Sequence, residues 1–259
     1  MGLGVLLDMT LNGIPSKMGF YVVDALDTKE MHLRTHEGVI PISMESIHDL
    51  LGLPIGWINL LDFDEGGSDK RIWNEWKVKF AKRKMRQMDL LDVIQKSNDD
   101  EFTFKLNFLV LFVNIMAKRN TMGCCNFNFL SRIHDEEMIP KIDWCRYIYT
   151  RLRASKSQWN RDNNNCFYAG PLTYLTLLYV EETRCSSVIV PDKKPPLCAW
   201  TYDLMKMRES RDIANGGFGR QPLKKPANST KEINEFVQPI DESNGCRSQS
   251  RETTMEVPT

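Results

Sequence analysis

The sequence lacks an excess of charge of either sign, because 34 lysines and arginines balance 34 aspartates and glutamates over 259 residues. Overall charge therefore does not mark it as a nucleic-acid or membrane binder, and such a function would have to come from a local patch. The N-terminus lacks a basic segment ahead of an apolar run, so it does not read as a signal peptide. We therefore expect reduced thiols and a location in the nucleus or the cytosol.

A long uninterrupted hydrophobic run is also missing. Residues 102–120 are the best candidate, but Lys105, Asn107 and Asn114 interrupt them. The apolar run that remains is shorter than the roughly 20 residues that span a bilayer. We expect a buried helix in this stretch and no membrane partner.

What is present is a globular composition, with 42% hydrophobic and 10% aromatic residues. Met31 and Leu33 alternate with polar neighbours ahead of a Glu37-Gly38 turn, which predicts a short β-hairpin. Ser43 and Gly52 are placed to begin and end a helix. Apolar residues spaced three and four apart predict helices over 14–26, 43–51, 71–97, 100–119, 141–155, 169–184 and 195–213.

These elements predict a mainly α fold, with one short hairpin near the N-terminus. We expect a single helical domain over residues 5–213. Beyond it the chain is rich in glycine, proline, serine, asparagine and charge, and few apolar residues remain to be buried. We therefore expect residues 214–259 to form a disordered tail.

Four stretches in order resemble a known family. They are MGFYVVDALDTKEMHLRTHEGVIPISMESIHDLLGLPIG (18–56), FLVLFVNIMAKRN (108–120), IDWCRYIYTRL (142–152) and FYAGPLTYLTLLYVEE (167–182). In this order and spacing they resemble the plant mobile domain, also called the aminotransferase-like plant mobile domain. The likeness covers roughly residues 5–213 and rests on the ordered set rather than on one motif.

The departures from that family point to one of its branches. Many members have Trp-Gly where Trp144-Cys145 stands, and a tryptophan near Leu178-Tyr179. The sequence is similar here to the transposon-associated branch, whose domain often lies upstream of a ubiquitin-like-protein protease domain. The resemblance implies plant origin, links to transposable elements and nuclear roles. It implies no established catalytic activity.

The chain shows no glycine-rich phosphate cradle and no lysine in a context typical of a pyridoxal phosphate Schiff base. We expect no cofactor. Cys124, Cys125, His134 and Cys145 invite a metal or catalytic reading, but they lack the paired C-x2-C spacing of zinc sites. A Cys–His pair would also need a third residue to orient it. We therefore expect structural roles for these residues, with neither metal ligands nor catalytic residues among them.

A protease reading remains as the alternative. Gln238 precedes Cys246, as in ubiquitin-like-protein proteases, but Arg247 follows, and all three lie in the predicted tail. A catalytic triad cannot be preorganised on a disordered segment. The alternative function is therefore a truncated member of that cysteine protease family, one that lacks the catalytic domain.

The strongest functional candidate is the basic run KRIWNEWKVKFAKRKMRQ (70–87). Trp73, Trp76 and Phe80 recur at helical spacing and are expected to face the core, leaving a ridge of cations for nucleic-acid phosphates. The same pattern fits a solvated face whose lysine stems cover apolar surface, and KRK also suits nuclear import. The candidate nucleic-acid-binding residues are Lys77, Lys79, Lys82, Arg83, Lys84 and Arg86. Chromatin proteins are the other expected class of partner.

Overall fold

The computed structural model of the protein describes residues 1–63, 70–80, 85–97, 102–118, 124–157, 159–163 and 167–224. Within these residues the chain forms eight α-helices and one small sheet, which confirms the mainly α class. The helices are α1 (Ser16–Ala25), α2 (Met44–Leu51), α3 (Arg71–Phe80), α4 (Gln87–Lys96), α5 (Phe102–Met116), α6 (Trp144–Ala154), α7 (Leu172–Glu182) and α8 (Tyr202–Ala214).

The sheet has three antiparallel strands in the order β1 (Leu26–Asp27), β2 (His32–Thr35) and β3 (Gly38–Pro41). The predicted hairpin is confirmed as β2 and β3, and β1 adds a short third strand. Leu33 lies opposite Leu26 on one side and Ile40 on the other. All three side chains are buried, so the sheet has one face packed on the core.

Helices α5 and α7 form the centre of the core. Thr173–Val180 are all buried, and most of α5 is buried as well. Helix α7 contacts α1, α2 and α5, while α6 packs on α2. The predicted buried helix over residues 102–118 is therefore confirmed. Among the described residues, no helix combines the length and the apolar character needed to cross a membrane.

The ends of α2 follow directly from its sequence. The Ser43 side chain accepts a 3.1 Å hydrogen bond from the backbone N–H of Ser46, which satisfies one of the free donors of the first turn. Gly52 ends the helix with φ +66°, a conformation that only glycine adopts at low cost. Both predicted helix signals are confirmed.

The predicted continuous helix over 71–97 is wrong. The chain forms α3 and α4 instead, and the described residues Met85 and Arg86 between them are not helical. The backbone carbonyl of Met85 accepts a 2.8 Å hydrogen bond from the N–H of Cys125. This contact with a distant segment holds the chain in an extended form at the junction.

Packing also continues past residue 213, where the sequence places the domain boundary. The Phe218 ring stacks on Tyr21 at 5.1 Å between centroids. The Gly219 N–H donates a 3.0 Å hydrogen bond to the hydroxyl of Tyr179, and Leu223 forms a bridge with Thr183. The folded part therefore includes the chain up to residue 224, and the rest of the predicted tail, 225–259, lies outside the described residues.

Candidate nucleic-acid interface

Helix α3 has one side fixed in the core. Ile72 and Trp76, one turn apart, are buried. The indole N–H of Trp76 donates a 2.9 Å hydrogen bond to Oδ1 of Asn107 on α5. The Trp76 ring also packs against Phe80 and Phe127, with centroids 5.2 and 4.8 Å away. These contacts fix the rotation of α3 about its own axis.

A cluster of four rings forms beside this anchor, and we call Trp73, Trp76, Phe80 and Phe127 the α3 aromatic cluster. The Lys77 ammonium lies 4.5 Å from the centroid of the Trp73 ring. The Lys79 ammonium lies 5.6 Å from that of Phe80. Each such contact at an exposed site contributes about 0.5–1 kcal/mol. Two positive charges therefore lie beside the cluster, and we call the ammonium groups of Lys77 and Lys79 the border of the α3 aromatic cluster.

Lys77 and Lys79 do not project from one helical face, as the predicted ridge of cations would require. Lys77 and Lys79 are two positions apart, so they leave the helix axis in directions about 160° apart. Their stems bend toward rings of the same cluster, while both residues remain exposed. The arrangement fits both sequence interpretations, because the stems cover apolar surface and the ammonium groups stay in water.

The electrostatic surroundings leave these two charges available. Within the described part of the chain, neither Lys77 nor Lys79 forms an ion pair. Both lie in the last turn of α3, where the free carbonyl groups favour cations. The one acid within the helix is Glu75. A phosphate approaching the cluster would meet two cations that need not first give up a carboxylate partner.

Of the other predicted binding residues, Arg86 alone lies among the described residues. Lys82, Arg83 and Lys84 lie outside the described residues. Arg86 is exposed, but it belongs to the extended junction before α4, where its backbone N–H donates a 3.0 Å hydrogen bond to Oδ2 of Asp89. It therefore does not continue the surface of α3 as the sequence predicted.

Two buried cysteines, Cys125 and Cys145, have raised pKa values that favour the protonated thiol. Burial raises the pKa of Cys125 to about 11. Burial, with the charges of Asp143, Glu45 and Asp49, raises the pKa of Cys145 to about 12. The Cys145 thiol lies 3.6 Å from the backbone carbonyl of Leu53. A nucleophilic or metal-binding cysteine needs the thiolate, and this environment disfavours it.

His134 and the acids that follow it have structural contacts. The His134 ring packs edge-on against Phe63, with centroids 5.3 Å apart. Oδ1 of Asp135 accepts a 2.7 Å hydrogen bond from the N–H of Met138, and Glu136 forms an ion pair with Lys105. Over the described ranges, no three His, Cys, Asp or Glu side chains are grouped so that they could hold a metal ion.

Sequence reasoning missed the residue that anchors the cluster. Asn107 is 2% exposed in the most apolar helix, where it interrupts the hydrophobic pattern. A buried amide in such a position needs a hydrogen-bond partner, and Trp76 supplies it. The sequence does show Asn107 as a polar residue within an apolar run. Its partner Trp76 is 31 residues away, and residue spacing does not reveal that pairing.

Comparison with known proteins identifies a family for the chain, but the function of that family is unknown. No curated protein and no solved structure matches it. Residues 1–176 match the model of a family described as a domain of unknown function, DUF8566. The match covers more than half of the 259 residues. The chain therefore belongs to the DUF8566 family.

Proposed function

We propose that this protein is a non-enzymatic interaction module that contacts nucleic acid or chromatin through the border of the α3 aromatic cluster. The observation that carries the proposal is the pair of exposed ammonium groups of Lys77 and Lys79 on rings of one anchored cluster. Cations that neutralise phosphates release condensed counterions, which supplies most of the affinity of sequence-independent binding. The predicted residues Lys82, Arg83 and Lys84 come shortly afterwards in the sequence and are also cationic.

The state of the thiols supports a binding role rather than cysteine chemistry. At neutral pH, Cys125 and Cys145 remain protonated, since their pKa values are raised to about 11 and about 12. Hydrolysis of ubiquitin-like conjugates by the purified chain, abolished by a thiol-blocking reagent, would contradict this part of the proposal.

We further propose that the protein derives from a transposable element and acts in the nucleus. This part rests on the resemblance of residues 5–213 to plant mobile domains. The KRK sequence at 82–84 also suits nuclear import. Cytosolic retention of the tagged full chain, with Lys82, Arg83 and Lys84 intact, would contradict the nuclear assignment.

The binding proposal is tested by fluorescence anisotropy with a short labelled DNA duplex and the full chain. The key variant is Lys77→Met/Lys79→Met, which keeps an unbranched stem over each ring and removes both charges. We expect it to weaken binding about tenfold or more, because two phosphate contacts are lost.

A matched variant controls for charge. Lys17→Met/Lys29→Met removes two charges from exposed lysines outside α3, and we expect it to change the affinity by no more than about twofold, as is usual for surface changes away from a site. Equal losses in the two variants would contradict a site on α3. A labelled single strand measured in parallel shows whether stacking on the exposed edge of the cluster adds to phosphate binding.

A further inference from the structure

A cleft of about 340 Å³ lies beside the C-terminal end of α7. Its walls come from that helix end, the loop over 185–200 and α8, and Lys224 forms part of its edge. The volume is within the range of about 300–1,000 Å³ that is usual for small-molecule sites. None of the residues of the α3 aromatic cluster lines it.

The floor of the cleft contains a rigidly held arginine. Arg208 is 1% exposed. Its Nε donates a 2.9 Å hydrogen bond to Oδ1 of Asp212, and its Nη2 donates a 2.6 Å hydrogen bond to the hydroxyl of Thr183. The other oxygen of Asp212 accepts a 2.8 Å hydrogen bond from Tyr179. The charge of Arg208 is therefore balanced, and the floor is preorganised.

The one acid on the helix wall is also neutralised. Oε1 of Glu181 accepts a 2.6 Å hydrogen bond from the indole N–H of Trp200. Oε2 lies 3.3 Å from the ammonium group of Lys224. With both oxygens occupied, this carboxylate repels an incoming anion only weakly.

The remaining charges of the lining lie on one loop and are positive in sum. Lys193 and Lys194 are exposed, and Asp192 is the acid beside them. Arg208 pairs with Asp212, and Glu181 pairs with Lys224. The charged lining residues that remain are two cations, Lys193 and Lys194, and one anion, Asp192. Coulomb attraction therefore favours an anionic group at the mouth.

Most of the rest of the lining is apolar, with Val188, Val190, Pro191 and Trp200 among its members. We propose that this cleft binds a small organic anion, with its anionic group at Lys193 and Lys194 and an apolar body against these side chains. The site is independent of the one on α3, so either can fail without the other.

Cys185 lines the same cleft and is half-buried, which provides a direct reporter. The full chain is alkylated with iodoacetamide, with and without 1-naphthyl phosphate, and each cysteine is quantified by mass spectrometry. At a probe concentration about ten times the Kd, we expect Cys185 to react about tenfold more slowly, in proportion to the free fraction. Cys124, also half-buried but outside the cleft, is the internal control and should react unchanged.

Calorimetric titration of the same probe supplies a second measurement that does not depend on thiol reactivity. Lys193→Met/Lys194→Met should weaken binding about threefold or more, since each exposed charge contributes modestly, whereas Lys17→Met/Lys29→Met, which changes two exposed lysines outside both proposed sites, should leave it unchanged. Equal binding of uncharged 1-naphthol would overturn the assignment of an anion. Protection of Cys124 together with Cys185, or no heat of binding at millimolar probe, would overturn the site itself.

Discussion

At the scale of single residues, a buried charge network joins α7 and α8. Arg208 and Asp212 are 1% and 0% exposed, one helical turn apart on α8. The Arg208 guanidinium reaches the backbone carbonyls of Val180 and Thr183 near the end of α7, at 3.4 and 3.5 Å. It therefore satisfies carbonyl groups that have no partner within their own helix.

The first prediction concerns that arginine. Arg208→Met leaves the buried carboxylate of Asp212 without its counter-ion, and we expect the free energy of unfolding to fall by about 3–5 kcal/mol. Urea denaturation followed by circular dichroism measures the change. The exposed neighbour Arg211 provides the control, because Arg211→Met should alter stability by less than about 0.5 kcal/mol. Similar small losses in both variants would show that the network contributes little.

At the scale of elements, α2 and α3 show two ways in which sequence sets structure. The limits of α2 are local, since Ser43 and Gly52 satisfy or terminate its own backbone, and both were predictable. Helix α3 differs, because the non-helical residues Met85 and Arg86 that separate it from α4 include one held by a tertiary contact. Its hydrophobic periodicity runs on toward α4, but the hydrogen bond between Met85 and Cys125 comes from a segment that no local pattern reveals.

The second prediction tests the end of α2. Gly52→Ala would place a Cβ 2.7 Å from Cγ of Pro195 in a residue with φ +66°. We expect a loss of about 1–2 kcal/mol from the left-handed backbone alone, with the close contact adding to it. Gly4→Ala is the control, because a Cβ there meets nothing within 4 Å. Thermal unfolding distinguishes the two, and equal melting temperatures would contradict the role of Gly52.

At the scale of the whole molecule, the sequence predicts the class and the order of the elements but not where the fold ends. The composition changes at residue 214, yet Phe218 stacks on Tyr21 of α1, Leu223 forms a bridge with Thr183 after α7, and both side chains pack against the core. Two isolated apolar residues among glycines and polar residues give no periodic signal. Their burial depends on a surface that other helices build, so it could not be read locally.

The candidate site, like the fold, could be predicted from the sequence only in part. The tryptophans and lysines of the basic run mark it, and helical spacing correctly places Trp76 in the core, whereas Trp73 and Phe80 are only partly buried. The spacing does not predict the ring contacts of the two cations, which are those of Lys77 with Trp73 and of Lys79 with Phe80. The aromatic cluster also depends on Phe127, which lies on another segment.

The third prediction follows from the extended boundary. A chain that ends at residue 213 loses the Phe218 stack, the Gly219 hydrogen bond and the bridge of Leu223. We expect its melting temperature to lie several degrees or more below that of a chain that ends at residue 224, since about 1 kcal/mol already corresponds to some 2–4 °C at this size. Equal melting temperatures for the two chains would support a domain boundary at residue 213 instead.

The measurement that tests the central claim most directly is the salt dependence of DNA binding. The slope of log Kobs against log salt concentration counts the phosphates that the protein neutralises, at about 0.9 for each. We predict that Lys77→Met/Lys79→Met reduces the magnitude of that slope by about two, while Lys17→Met/Lys29→Met leaves it unchanged. An unchanged slope in the α3 variant, with the protein still folded, would contradict a phosphate-binding role for the border of the α3 aromatic cluster.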